Sequence, residues 1–164
     1  MRASLRYTAP ALLHPVTLVA LVLWAVNDHL LKGWGPALLT GKLSDVTALI
    51  VCPTVLLAIL EWTNPEWVAG HLRTLLAASC AAIGLLLAGL ELSPMVELAY
   101  QHALGSAHYA AKYVAAALVN GRTPSYVLVH TTPDVTDLLT LPALGVPLWL
   151  FRRPVSAAQG IASC

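Results

Sequence analysis

Asn27–Pro53 reads NDHLLKGWGPALLTGKLSDVTALIVCP. Asp28, His29, Lys32, Lys42 and Asp45 collect here between two apolar runs, Ala11–Val26 (broken only by His14, Pro15 and Thr17) and Val46–Leu60. Charge concentrated between such runs marks a membrane boundary. The second half of the stretch has an echo near the end of the chain. Asp45-Val46-Thr47-Ala48-Leu49 leads to Pro53, and Asp134-Val135-Thr136-Asp137-Leu138 leads to Pro142. Both read D-V-T-x-L-x-x-x-P, which predicts a duplicated helical hairpin with matched proline kinks.

Composition points the same way. Of 164 residues, 58% are hydrophobic and 10% charged. A soluble domain of this length carries about 25% charged residues, enough to cover its surface. The net charge of +1 leaves no broad basic surface, so nucleic acid is not an expected partner. Cys52, Cys80 and Cys164 show no ligand or redox spacing and read as packing residues.

The expected fold is all-α: a single integral membrane domain over 1–164 with four transmembrane helices and one amphipathic interfacial helix. The helices are expected at about 11–31, 44–62, 72–92 and 133–151, the amphipathic helix at about 96–119, and a loose tail at 154–164. In 96–119, Gln101, His102, Ser106, His108, Tyr109, Lys112 and Tyr113 gather broadly on one helical side. A fifth span there is the alternative. Four spans put Arg2, Arg6, Arg73, Arg152 and Arg153 on one side, which the positive-inside rule makes cytoplasmic. Both termini are then cytoplasmic, and Asp28, Asp45, Asp134 and Asp137 share the outer face.

Each acid also has a plain structural reading. Asp45 and Asp134 open expected helices and serve as caps there. Asp137 lies a turn further in. Asp28 sits at a helix C-terminus, where the dipole disfavours an anion; pairing with Lys32 or Lys42 accounts for it. Asp28 and Asp137 are therefore the acids that structure explains least. The candidate binding residues are Asn27, Asp28, His29, Lys32, Lys42, Ser44, Asp45, Thr136 and Asp137. The expected function is a polar site at the outer face for an ion, a lipid headgroup or a partner helix of another membrane protein. An intramembrane aspartyl hydrolase using Asp28 or Asp45 with Asp134 or Asp137 is the alternative. A purely structural subunit is the third reading. No cofactor, metal-ligand set or phosphate loop is expected.

Two resemblances extend this reading. The run Asn27-Asp28-His29-Leu30-Leu31-Lys32, Thr40-Gly41-Lys42-Leu43-Ser44-Asp45 and the later Asp134-x-Thr136-Asp137-Leu138 resemble a family of small bacterial multispanning proteins without assigned chemistry. That resemblance implies the bacterial cytoplasmic (inner) membrane. Asp28 and Lys32, at the spacing of an Asp-Gln-x-x-Lys run, and Asp134 before the last helix are similar to lipoprotein signal peptidase, a four-helix aspartic protease. The box that reads Asn-x-Ala-Asp in that enzyme is Thr131-Thr132-Pro133-Asp134 here.

Overall fold

The computed structural model describes residues 5–31, 34, 36–119, 121 and 123–152. The chain is all-helical: α1 (Ala9–Leu12), α2 (Pro15–His29), α3 (Ala37–Thr63), α4 (Pro65–Leu92), α5 (Pro94–Leu118), a 3-10 helix (Val135–Leu144) and α6 (Gly145–Leu150). It forms two compact units. One holds the chain up to Leu85 and again from Leu139; the other is Leu86–Leu138.

Among the described residues two helices, not four, are long and apolar enough to cross a membrane: α3 from Leu38, and α4. The expected first span is cut short by proline. Pro15 starts α2 and drives His14 into an extended conformation with ψ 138°, which separates α1 from α2. The 15 residues left in α2 rise only about 22 Å, against a hydrocarbon core of about 30 Å. The expected fourth span is not one helix. Its first ten residues form a 3-10 helix containing Pro142, and only Gly145–Leu150 is α-helical. Pro142 and Pro147 each lack the N–H that an α-helix needs.

The helix expected to open at Ser44 begins at Ala37, so Asp45 lies inside α3 and caps nothing. Pro53 is accommodated within α3. The second copy of the repeat starts outside any helix. Asp134 Oδ1 accepts from Thr136 N–H at 2.9 Å and from Thr136 Oγ1 at 2.7 Å, which caps the 3-10 helix. The same five-letter run is thus mid-helix in one copy and a turn in the other. What survives of the duplication is coarse: both runs lead into helical segments holding a proline, and α6 packs on α3.

In the first unit α2 packs along α3, and α1 and α6 also touch α3. The core joins Leu57 of α3 to Val68, Leu75, Leu76 and Cys80 of α4, with Leu60, Leu72, Leu144 and Phe151 around it. Positions 68, 72, 75, 76 and 80 recur at helical spacing and make one face. Asn64 alone separates α3 from α4. It ends α3, and its side chain accepts Trp67 N–H at 3.2 Å with Pro65 in the first turn. The backbone of α4 is non-helical at His71, so its long apolar part starts at Leu72. Outward faces stay apolar: Val19, Val22 and Leu85 are 57%, 60% and 72% exposed. Exposed apolar side chains of this kind are consistent with lipid association.

The second unit is built on α5. Ser93 caps it, and Pro94 follows at its first position. Residues 123–133 have no regular structure and lie along its polar side. Gln101 Nε2 donates to Thr131 Oγ1 at 2.9 Å, and His102 Nδ1 sits 3.1 Å from Tyr126 Oη. Gly105 permits this approach: a Cβ there would come within 2.9 Å of both Val127 O and Tyr126 Oη. Gly105→Ala is therefore expected to push the strap off α5, at about 1–3 kcal/mol. Hydrogen exchange checks it: amides of 125–131 should exchange faster, while those of α3 are unchanged.

Candidate functional site

α2 and α3 bring part of the expected site together. Asn27, in the last turn of α2, is 0% exposed. Its Nδ2 donates to Thr40 O and to Ser44 Oγ, both at 2.7 Å. Ser44 Oγ in turn donates to Asp28 Oδ1 at 2.7 Å. One amide, one hydroxyl and one carboxylate thus form a chain across the two helices. The Asn27 orientation follows from it, because a carbonyl such as Thr40 O accepts only from the NH₂ end. That leaves Asn27 Oδ1 buried with no hydrogen-bond partner among the described residues.

Asp28 was expected to pair with a lysine. Its resolved partner is Ser44, and it has a further polar interaction, as do Lys42 and Asp45. Lys32 lies outside the described residues. His29 is exposed at the end of α2. Thr47 is buried and returns its hydroxyl to Leu43 O and Ser44 O, at 2.8 and 2.9 Å, within its own helix.

Asp134, Thr136 and Asp137 belong to the second unit. There Asp134 N–H donates to Glu91 Oε2, and Asp137 N–H donates to Asp134 O at 2.7 Å. Glu91 faces the charges of Asp137, Asp134 and Glu97. Glu97 Oε1 is held by Gln101 Nε2 at 2.8 Å and Thr131 Oγ1 at 2.9 Å. Among the described residues no three of His, Cys, Asp and Glu are arranged to hold a metal ion.

The most enclosed acid was absent from the sequence reading. Glu61, in the last turns of α3, is 1% exposed. Oε1 accepts from Tyr7 N–H at 2.9 Å; Oε2 accepts from Thr8 N–H at 2.9 Å and Thr8 Oγ1 at 2.6 Å. Thr8 is itself 0% exposed, so the carboxylate fastens the N-terminal turn ahead of α1 to the end of α3. One signal was available. An anion near a helix C-terminus opposes the dipole, so in an apolar helix it must find donors elsewhere.

Comparison of the chain with protein-family models, curated proteins and solved structures finds no match. The resemblance to the bacterial multispanning family and to lipoprotein signal peptidase therefore falls. Both imply a multispanning architecture, and among the described residues there are two apolar helices of spanning length. The fold and the hydrogen bonds describe a small, mostly helical protein whose polar and carboxylate side chains are engaged internally, with two apolar helices consistent with lipid association.

Proposed function

We propose that the protein is a small membrane binding protein whose site is the α2–α3 group of Asn27, Asp28 and Ser44, with His29, Lys32, Lys42 and Asp45 next to it in sequence, and that it takes a singly charged cation, either an alkali ion or an ammonium group. Asn27 Oδ1 is the observation that carries the reading. A buried carbonyl without a donor costs about 1–3 kcal/mol, and a native structure keeps such an atom for a reason. A cation or an N–H donor satisfies it. Asp28 supplies one negative charge, and Asn27 and Ser44 add neutral oxygens. That set balances one positive charge better than two. Thr136 and Asp137, beside Asp134 in the second unit, are the second candidate group of the same reading.

Lipid is the medium in which this site operates, with α3 and α4 crossing it. Tyr7 and Thr8 bond to Glu61, and Phe151 packs on the core of α3 and α4, so Arg6 and Arg152 adjoin the Asn64 end of the two apolar helices. The positive-inside rule then favours a bacterial cytoplasmic membrane with that end, and both termini, on the cytoplasmic side.

Asp28→Asn tests the reading, since it keeps the acceptor for Ser44 and removes the charge. Sodium chloride or ethylammonium chloride should raise the melting temperature of the detergent-solubilised protein, relative to bulky choline chloride at equal ionic strength. Asp28→Asn should abolish that rise while its melting temperature in choline stays near wild type. Equal rises in both proteins, or none in the wild type, would contradict the assignment.

A further inference from the structure

The second unit holds a polar pocket that neither the acids nor the α2–α3 group accounts for. It lies between α5 and the strap, has a volume of about 130 Å³, and is lined by Gly105, His108, Tyr109, Lys112, Ser125, Val127 and Val129. His108 and Lys112 are four residues apart, so both project from one face of α5. Ser125 brings a hydroxyl from the strap. Among the described residues no hydrogen bond or ion pair engages the side chains of His108, Lys112 or Ser125. Other polar side chains of α5 that face residues 123–133 are engaged: Gln101 with Glu97 and Thr131, and His102 with Tyr126.

The charge around the pocket has one sign. No aspartate or glutamate occurs between Glu97 and Asp134, while that interval carries Lys112 and Arg122. Along α5, Glu97 is 15 residues from Lys112, about 22 Å at helical rise and well beyond a Debye length at physiological salt. A free lysine, a free imidazole and a free hydroxyl converging without a carboxylate form a donor set for an oxyanion. A water needs about 10–15 Å³ of such space, so the pocket has ample room for a phosphate. Tyr109 packs on Tyr113 and Tyr126, with ring centroids 6.2 and 6.3 Å apart. Tyrosines gathered on the same stretch of α5 as exposed Val114 and Leu118 suit a pocket at the level of lipid headgroups.

We propose that this pocket is a phosphate-binding site, with Lys112 supplying the charge and His108 and Ser125 completing the donor set. The ligand is either the phosphate of an anionic lipid headgroup or free inorganic phosphate. It is independent of the cation site proposed above, and its residues lie in a different unit.

The full-length protein in neutral detergent is titrated with inorganic phosphate at constant ionic strength, while the His108 ring resonances are followed by NMR. In parallel it is placed in nanodiscs of phosphatidylcholine with or without phosphatidic acid. Lys112→Met and Ser125→Ala are compared with wild type, and Lys112→Arg is the rescue. Lys112 is exposed, and unchanged circular dichroism verifies that each variant folds. We expect a saturable His108 shift that Lys112→Met weakens tenfold or more and Lys112→Arg retains. A response to both ligands supports the site and identifies a general phosphate pocket. A response to phosphatidic acid alone supports it and identifies a headgroup. A response to phosphate alone supports it and identifies the free ion. No saturable shift with either ligand, or shifts that Lys112→Met leaves unchanged, would overturn it.

Discussion

Replacing Glu61 by alanine is expected to release the N-terminal turn and lower stability by about 3–5 kcal/mol, the largest effect of any single substitution considered for this chain. The carboxylate accepts three hydrogen bonds, from Tyr7 N–H, Thr8 N–H and Thr8 Oγ1. Bonds to a charged acceptor contribute about 1.5–3 kcal/mol each, and they do not add fully because the three donors move together. Alanine also leaves the Thr8 donors buried without an acceptor. Glu61→Gln is the informative partner: it keeps the volume and one acceptor oxygen but turns a donor toward Thr8 or Tyr7. It should lose about half as much. Unfolding in mixed micelles gives the energies. Limited proteolysis reports the location, since cleavage before α1 should accelerate in Glu61→Ala well below its global transition. If both variants unfold like wild type and resist cleavage equally, the Glu61 tether does not exist.

Asn27→Asp is the second large effect, expected at about 2–4 kcal/mol although the two side chains have the same shape. The carboxylate oxygen replacing Nδ2 would face Thr40 O, an acceptor against an acceptor, and would add an anion next to Asp28. Burying an unpaired charge costs several kcal/mol, less whatever local relaxation recovers. Ser44 loses the donor that orients it, so Asp28 loosens as well. Asn27→Ala should cost less, about 1–3 kcal/mol, because it leaves Thr40 O unsatisfied without adding charge. The ordering of the two variants is the check: if alanine proves worse than aspartate, the amide does not donate to Thr40.

The polar half of this site was legible from sequence because the chain has so few charges. Asn27, Asp28 and Ser44 fall in one 27-residue stretch, and the boundary between apolar runs draws them together. Ser44 as a partner of Asp28 was not legible, since sequence spacing points to lysines at i+4 and in the next loop, whereas Ser44 reaches Asp28 because α3 begins at Ala37 and carries Ser44 two turns into the helix. Nothing local to Ser44-Asp45 distinguishes a helix start from a helix interior, since serine and aspartate serve at both and Pro36 supplies an earlier start.

The span count failed for a related reason. Apolar content measures what lipid tolerates, and proline placement determines whether a helix runs through. Pro15 trims α2 at its start, and Pro142 and Pro147 break what composition alone reads as one helix. The D-V-T repeat was over-read in the same way. Its aspartate and threonine hydrogen-bond each other at Asp134–Thr136 but belong to a continuous α-helix at Asp45–Thr47, and eight preceding helical residues make the difference. Glu61 and Thr8 are 53 positions apart in sequence. No local pattern links them; only the requirement that a buried anion find donors does.

The proposed cation site turns on one atom, Asn27 Oδ1, and its carbon neighbour can be observed directly. With asparagine selectively labelled, the Asn27 side-chain carbonyl carbon and amide nitrogen give resonances assignable through Asn27→Ala. Titration of the micellar protein with sodium and, separately, with ethylammonium should move the carbonyl resonance saturably with one ligand and not with choline. The amide nitrogen should shift less, because Thr40 O and Ser44 Oγ already hold it. A carbonyl resonance that stays fixed through all three titrations would contradict the cation site.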